Sequence, residues 1–243
     1  MFATAVCSYE FAMMAGPDDR LTGMLAALLG AFGIYGISIG AGTRPEMLAV
    51  VAFVVMLFIL WFLFRPGAIE SAGSRLGVTL AGIFWSTLMM SGLLYLRFLP
   101  ESGLAWLYLA CALAWGSDTG AYFAGKYLGK KKLYPAVSPK KTWAGAIGGV
   151  ISATGIAFAV QYSFSEPSIP ATHLFGLGII GSALGQMGDL SESLIKRSMG
   201  VKDSGKIMPG HGGLLDRVDA LFFTGTWLFT YATFFVGDKP IWL

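Results

Sequence analysis

Five of the fourteen acidic and five of the seventeen basic residues of this chain fall between Gly185 and Asp219. If a helix that starts near Ala171 runs past Asp189, then Asp189, Glu192, Ser193, Lys196 and Arg197 share one face by i, i+3, i+4 and i+7 spacing. A second helix starting near Leu214 puts Asp216 and Asp219 a turn apart. Between the two, Pro209-Gly210-His211-Gly212-Gly213 has little helix propensity, and its glycines permit positive φ. Carboxylates on two helix ends, joined by a glycine-rich reversal, can converge on one cation. Lys196, Arg197, Lys202 and Arg217 nearby suit an anionic, phosphate-bearing substrate. In outline this is a metal-assisted phosphoryl-type site.

Two other stretches carry polar groups among apolar ones. Trp115-Gly116-Ser117-Asp118-Thr119-Gly120-Ala121-Tyr122 sets an aspartate within or at the edge of an apolar run. A carboxylate at mid-bilayer costs roughly 2.5–3.5 kcal/mol on insertion scales, so such residues usually face a polar cavity. Asp118 is expected in the wall of the active-site cavity; the plainer reading is an interfacial aspartate beside Lys126. In Pro135-x-x-Ser138-Pro139-Lys140-Lys141-Thr142-Trp143, Pro139 sets a turn and Lys140, Lys141 and Thr142 are expected at a helix start. Helix N-termini attract anions. Ser138, Lys140, Lys141 and Thr142 are therefore expected phosphate contacts, whereas Lys130, Lys131 and Lys132 read mainly as a topology signal. His211 could be a general base, a substrate contact or a structural donor; a positioning role is favoured. No second histidine or cysteine adjoins it, which argues against zinc. Cys7 and Cys111 read as apolar fillers, and His173 as interfacial.

These motifs carry a resemblance. Ser193-x-x-Lys196-Arg197-x4-Lys202-Asp203-x-Gly205, followed by Pro209-x-His211-Gly212-Gly213-x-x-Asp216-Arg217-x-Asp219, resembles the signature of the phosphatidate cytidylyltransferase (CDP-diacylglycerol synthase) family over 27 positions. Met208 fills a slot usually held by Leu, Ile or Phe. The Ser-Asp-Thr-Gly-Ala-Tyr segment and the Ser-Pro-Lys-Lys-Thr block are similar to the family as well. Ala144 stands where members usually carry glutamate, which leaves that position without an acid. Tyr9-Glu10-Phe11-Ala12 resembles a segment that members carry after two further hydrophobic helices, so an N-terminal shortening is expected. The resemblance covers roughly residues 9–236.

The elements that must hold these residues are apolar. The chain of 243 residues is 55% hydrophobic and only 13% charged, about half the charge of a soluble domain. Seven runs of near bilayer length are expected as spans: 21–40, 47–64, 76–96, 104–127, 143–164, 171–190 and 218–236. The fold class is thus an all-α polytopic membrane bundle, with residues 1–20 as an N-terminal segment and 21–243 as one catalytic domain. Fourteen of the seventeen lysines and arginines fall on one side of this topology and three on the other. The positive-inside rule makes the basic side cytoplasmic. The loops at about 126–142 and 191–217, which carry the candidate chemistry, lie there, and a bacterial-type inner membrane is expected. Glycines in the spans, among them Gly145, Gly148, Gly149, Gly181 and Gly185, mark faces where helices approach closely.

The resemblance implies synthesis of CDP-diacylglycerol and pyrophosphate from CTP and phosphatidate, with Mg²⁺ as cofactor and room for a second cation. Asp189 and Asp216 are the first-choice metal ligands and Asp219 the next. Lys196, Arg197, Lys202 and Arg217 would hold phosphates or pair with those carboxylates. Glu192, Ser193 and Asp203 are expected near the substrate. A CTP-dependent polyprenol kinase and an ion-coupled transporter are the alternatives; the missing inverted repeat speaks against the transporter. Membrane lipid is the expected surrounding, a homodimer is carried as an expectation, and the net charge of +3 gives no reason to expect nucleic acid.

Overall fold

Long apolar runs with few helix breakers have one inexpensive structure in lipid, because an α-helix satisfies its own backbone polar groups. The computed structural model describes residues 1–38, 45–65, 67–99, 102–164, 168–210 and 212–235. Its helices are α1 (Phe2–Ala15), α2 (Arg20–Ser38), α3 (Pro45–Phe64), α4 (Ile69–Arg97), α5 (Gly103–Leu128), α6 (Trp143–Ser163), α7 (Ala171–Ser198) and α8 (Leu215–Phe235). Within the described residues, the seven expected apolar runs fall on helices α2 to α8. The chain is an all-α membrane protein. Among the described residues, α2, α4 and α6 are long and apolar enough to cross a bilayer by themselves. Large apolar side chains such as Leu28, Phe32, Leu88 and Ile151 stand more than half exposed on these three helices. Water would penalise such a surface; lipid does not.

Within the N-terminal segment, Phe2–Ala15 form α1. One expectation is corrected: Lys140 and Lys141 do not sit at a helix start. They lie in β2 (Ser138–Thr142), which pairs antiparallel with β1 (Lys132–Tyr134) through Lys132↔Thr142 and Tyr134↔Ser138. Proline disfavours the helical region for the residue before it, so Ser138-Pro139 leads into extended chain. The helix begins later, with Thr142 as N-cap: its Oγ1 accepts the Gly145 N–H at 3.1 Å.

By contacts the chain divides into two units, Met1–Ser91 with Ser204–Leu215, and Gly92–Asp203 with the residues from Asp216 onward. In the first, α1 packs on α2, and Ala12, Ala26, Phe58, Phe62 and Ile83 form a buried cluster. Polar groups there pair internally. Ser8 and Ser86 hydroxyls meet at 2.7 Å, and Trp61 Nε1 donates to Thr22 Oγ1 at 2.9 Å. Asp19 caps α2 by accepting the Thr22 N–H and hydroxyl at 3.2 and 2.6 Å.

The second unit packs α5 on α6, and both on α7. Small residues let these backbones close up. A Cβ at Gly149 would lie 2.9 Å from Ser117 O, and one at Gly188 2.6 Å from the Phe223 ring. The seam left between helices is polar. Ser117 and Ser182 hydroxyls meet at 2.7 Å, and Gln186 Nε2 donates to Ser117 Oγ and Ala146 O at 3.2 and 3.1 Å. That seam leads to the candidate site.

Candidate active site

Helix α7 continues past the expected span end at Leu190 to Ser198, so Asp189, Glu192, Ser193 and Lys196 do share one face. It stops in a Schellman arrangement. Gly200 adopts φ of 73°, its N–H reaches Arg197 O, and Val201 N–H reaches Lys196 O at 2.9 Å. Helix α8 opens one residue later than expected, with Asp216 in its first turn and Asp219 a turn on.

Two lysine–carboxylate pairs organise the second unit. Lys141, at the end of β2, sets Nζ 2.6 Å from Asp189 Oδ2, with both side chains about a quarter exposed. Ser193 Oγ donates to Asp189 Oδ1 at 3.4 Å. Deeper in, the Lys196 ammonium lies 3.0 Å from Glu192 Oε2 and 2.5 Å from Asp216 Oδ1; the Glu192 side chain has no exposed surface. Burial, with the charge of Asp219 next, pushes the Glu192 carboxyl well above its ordinary range. Burial pulls the Lys196 value down, but Glu192 and Asp216 outweigh it and raise it. The upward shift of the Glu192 carboxyl, the less exposed of the two at the ammonium, favours its protonated form and leaves Asp216 as the ionic partner of Lys196.

A cleft of about 350 Å³ opens beside the first pair. Asp118, Lys126, Lys140, Lys141, Thr142, Gln186 and Asp189 are among its lining residues. Asp118 and Asp219 both feel the charge of Asp189, and Lys141 and Arg217 act on Asp118. Three separate sequence motifs therefore meet in one basin lined by lysines and carboxylates.

The remaining expected residues scatter. Thr142 lines the cleft but is buried, and its hydroxyl oxygen caps α6. Ser138 opens β2 away from the cleft lining. Glu192, expected to touch substrate, instead hydrogen-bonds Lys196. Arg197 is exposed, and its guanidinium donates to Val201 O at 3.0 Å. Lys202, Asp203 and Arg217 are exposed, and the Arg217 carbonyl accepts the Trp115 indole N–H at 3.3 Å. His211 lies outside the described residues. Gln186 was not foreseen; its position one turn before Asp189 on the same face was the available signal.

Asp189 and Asp216, the first-choice metal ligands, are each held by a different lysine. Among the described residues, no three His, Cys, Asp or Glu side chains converge closely enough to hold a metal ion. The donor set of the cleft fits Mg²⁺ nonetheless. It is all oxygen, and Mg²⁺ commonly takes one or two protein carboxylates with substrate phosphates completing its shell.

The sequence model of the cytidylyltransferase family matches residues 1–235. The chain belongs to the cytidylyltransferase family. Within it, this chain is similar to the phosphatidate cytidylyltransferase of Bacillus subtilis (strain 168), 43% identical over 152 residues, which are 63% of this chain and 56% of that protein. The Haemophilus influenzae protein of the same name is 43% identical over 140 residues, 56% of this chain and 48% of the relative. That of Staphylococcus aureus (strain COL) is 38% identical over 178 residues, 73% and 65% of the two. The chain spans between about half and two-thirds of the length of these relatives.

Proposed function

We propose that this member of the family makes CDP-diacylglycerol and pyrophosphate from CTP and phosphatidate. The observation that carries the reading is the cleft in which Asp118, Lys141 and Asp189, from three motifs distant in sequence, come together. Its lysines and carboxylates match what a nucleoside triphosphate with a cation requires. The names of the curated relatives support the choice of substrates.

In this reading Lys126, Lys140 and Lys141 receive the triphosphate oxygens, and Asp118 and Asp189 would hold Mg²⁺, since Asp216 is paired with Lys196. Bound there, Mg²⁺ would neutralise charge on the phosphates. An oxygen of the lipid phosphate bonds to the α-phosphorus, and the bond from that phosphorus to the bridging oxygen breaks. The bridging oxygen keeps the electron pair and leaves with pyrophosphate. The attacking oxygen is already anionic, so no strong base is required, and His211 is given a positioning role. Lys141 exchanges part of its pairing with Asp189 for phosphate as substrate enters. Lys196, fixed by Glu192 and Asp216, keeps the start of α8 oriented.

The distribution of basic residues supports seven spans, with the loops at 126–142 and 191–217 on the cytoplasmic face of a plasma membrane, where CTP is available. The test is product analysis with the purified protein. Release of pyrophosphate that requires both CTP and phosphatidate is expected. Release of CDP in its place, with a lipid alcohol supplied as acceptor, would overturn the reading in favour of phosphate transfer to that alcohol.

A further inference from the structure

Glu10 is an acid in the middle of α1, and only 1% of its surface is exposed. A carboxylate in such a place is costly unless donors surround it. Three donors come from a segment about two hundred residues further along the chain. Glu10 Oε1 accepts the Leu214 N–H at 3.0 Å. Its Oε2 accepts the Leu215 N–H at 2.8 Å and the Ser204 hydroxyl at 3.1 Å. Leu214 and Leu215 flank the start of α8, where N–H groups have no intrahelical acceptor and the helix dipole favours an anion. The segment is also shaped to the carboxylate. A Cβ at Gly205 would stand 2.6 Å from Oε1, and one at Gly213 would stand 2.6 Å from both oxygens.

Glu10 thus binds both ends of one loop. Ser204 and Gly205 stand at its start, and Gly213, Leu214 and Leu215 at its end. The loop crosses itself once between these ends, with Met208 N–H donating to Gly212 O at 3.0 Å around Gly210 at φ of 75°. Asp216 is the next residue in the chain. We infer that Glu10 is a positioning residue: its carboxylate clamps both ends of the 204–215 loop and fixes Leu215, the residue whose backbone leads directly into Asp216. The role explains two glycines of the motif without any ligand, because each leaves room for the carboxylate. It also gives the N-terminal Tyr9-Glu10-Phe11-Ala12 segment a part in holding the 204–215 loop.

The activity arm of the test rests on the function proposed above; the exchange arm does not. Hydrogen exchange would be measured by mass spectrometry on the full chain in detergent, comparing wild type with Glu10→Gln. The amide offers one acceptor where the carboxylate offers two, and it turns an N–H group toward donors. Exchange at Leu214 and Leu215 is expected to quicken at least tenfold, while α5 and α6 keep their protection. Turnover per folded molecule is expected to fall at least tenfold, with KM for CTP within about twofold. A role confined to stability would lower the folded fraction and leave both quantities unchanged in the molecules that fold. If Glu10→Gln does not fold, Gly213→Ala keeps the carboxylate but crowds it, and should give the same two changes; Ser204→Ala should give smaller ones. Unchanged exchange at Leu214 and Leu215 overturns the clamp, whatever the activity. Faster exchange with wild-type turnover overturns the link to catalysis. If the wild-type protein makes no CDP-diacylglycerol, the functional reading fails, and the exchange result still decides the clamp.

Discussion

Replacing Lys196 by methionine keeps most of the stem volume and removes the charge. In the structure that charge is shared by Glu192 at 3.0 Å and Asp216 at 2.5 Å, with side chains 0% and 11% exposed. Removing one partner of a buried ion pair costs roughly 3–5 kcal/mol, since the other charge stays buried and unpaired. With Glu192 favouring its protonated form, Asp216 is the one charge that loses the ammonium, and the lower figure applies. About 3 kcal/mol in a chain of this size corresponds to a fall of roughly 6–12 °C in Tm. Glu192→Gln is the informative companion, because a neutral isostere already resembles the protonated acid. It should cost less than about 1 kcal/mol near pH 4.5, and above that pH the amide, which has no proton to keep, should overtake the wild type. The two proteins should then diverge with pH. The Glu192 carboxyl is raised above its ordinary value of 4.5, so the folded state keeps a proton that the unfolded state has released. Its contribution is fully present below that ordinary value and is lost as pH rises toward the folded value, by up to about 1.4 kcal/mol per pH unit. Lys196, also raised, stays charged throughout this window. Between pH 6 and 8 the wild type should therefore lose up to about 3 kcal/mol relative to Glu192→Gln. Thermal unfolding in detergent at pH 6, 7 and 8 reads all three proteins. A Lys196→Met Tm within 2 °C of wild type, or parallel pH slopes for wild type and Glu192→Gln, would refute the assignment of charge.

Other consequences are as direct. Asp189→Asn should lose nearly all turnover while Tm falls by only a few degrees, and a wild-type rate and Mg²⁺ dependence would move the cation elsewhere; Asp216→Asn should lose turnover together with a fall in Tm like that of Lys196→Met, because it breaks the same buried pair. Lys141→Met should raise KM for CTP at least tenfold, and an unchanged KM would remove Lys141 from the phosphate site. Cysteines at Pro135→Cys and Ile207→Cys should react only with reagents on the cytoplasmic side, and one at Ser168→Cys only from the opposite side. Labelling of the first and last from one side would end the seven-span reading.

Much of this was legible in the sequence because the signals are local. Apolar runs of bilayer length gave the positions of α2 to α8 to within a few residues at most ends, although α4 and α7 extend several residues beyond the expected spans. The spacing from Asp189 to Lys196 gave one helix face. The rest depends on contacts between distant residues, which no periodicity encodes. Lys141 and Asp189 lie far apart in sequence, and their pairing requires the β1–β2 hairpin, itself missed because the lysines after Pro139 were read as a helix start. Helix α1 was missed because Glu10 interrupts a run too short to span. The interruption has a physical reason, since that carboxylate is satisfied by backbone N–H groups at the start of α8. Gln186 was hidden in the same way: its partners, Ser117 and Ala146, belong to other helices.

The central claim is that the α-phosphorus of CTP is transferred to the phosphate of a lipid in the cleft between Lys141 and Asp189. The most direct measurement gives the purified chain CTP labelled at that phosphorus, together with phosphatidate and Mg²⁺, and partitions the products between water and organic solvent. Label is expected to enter the organic phase in proportion to pyrophosphate released, only when phosphatidate is present, and Asp189→Asn is expected to abolish the transfer. Label that remains in the aqueous phase as CDP, or transfer that persists at the wild-type rate in Asp189→Asn, would contradict the claim.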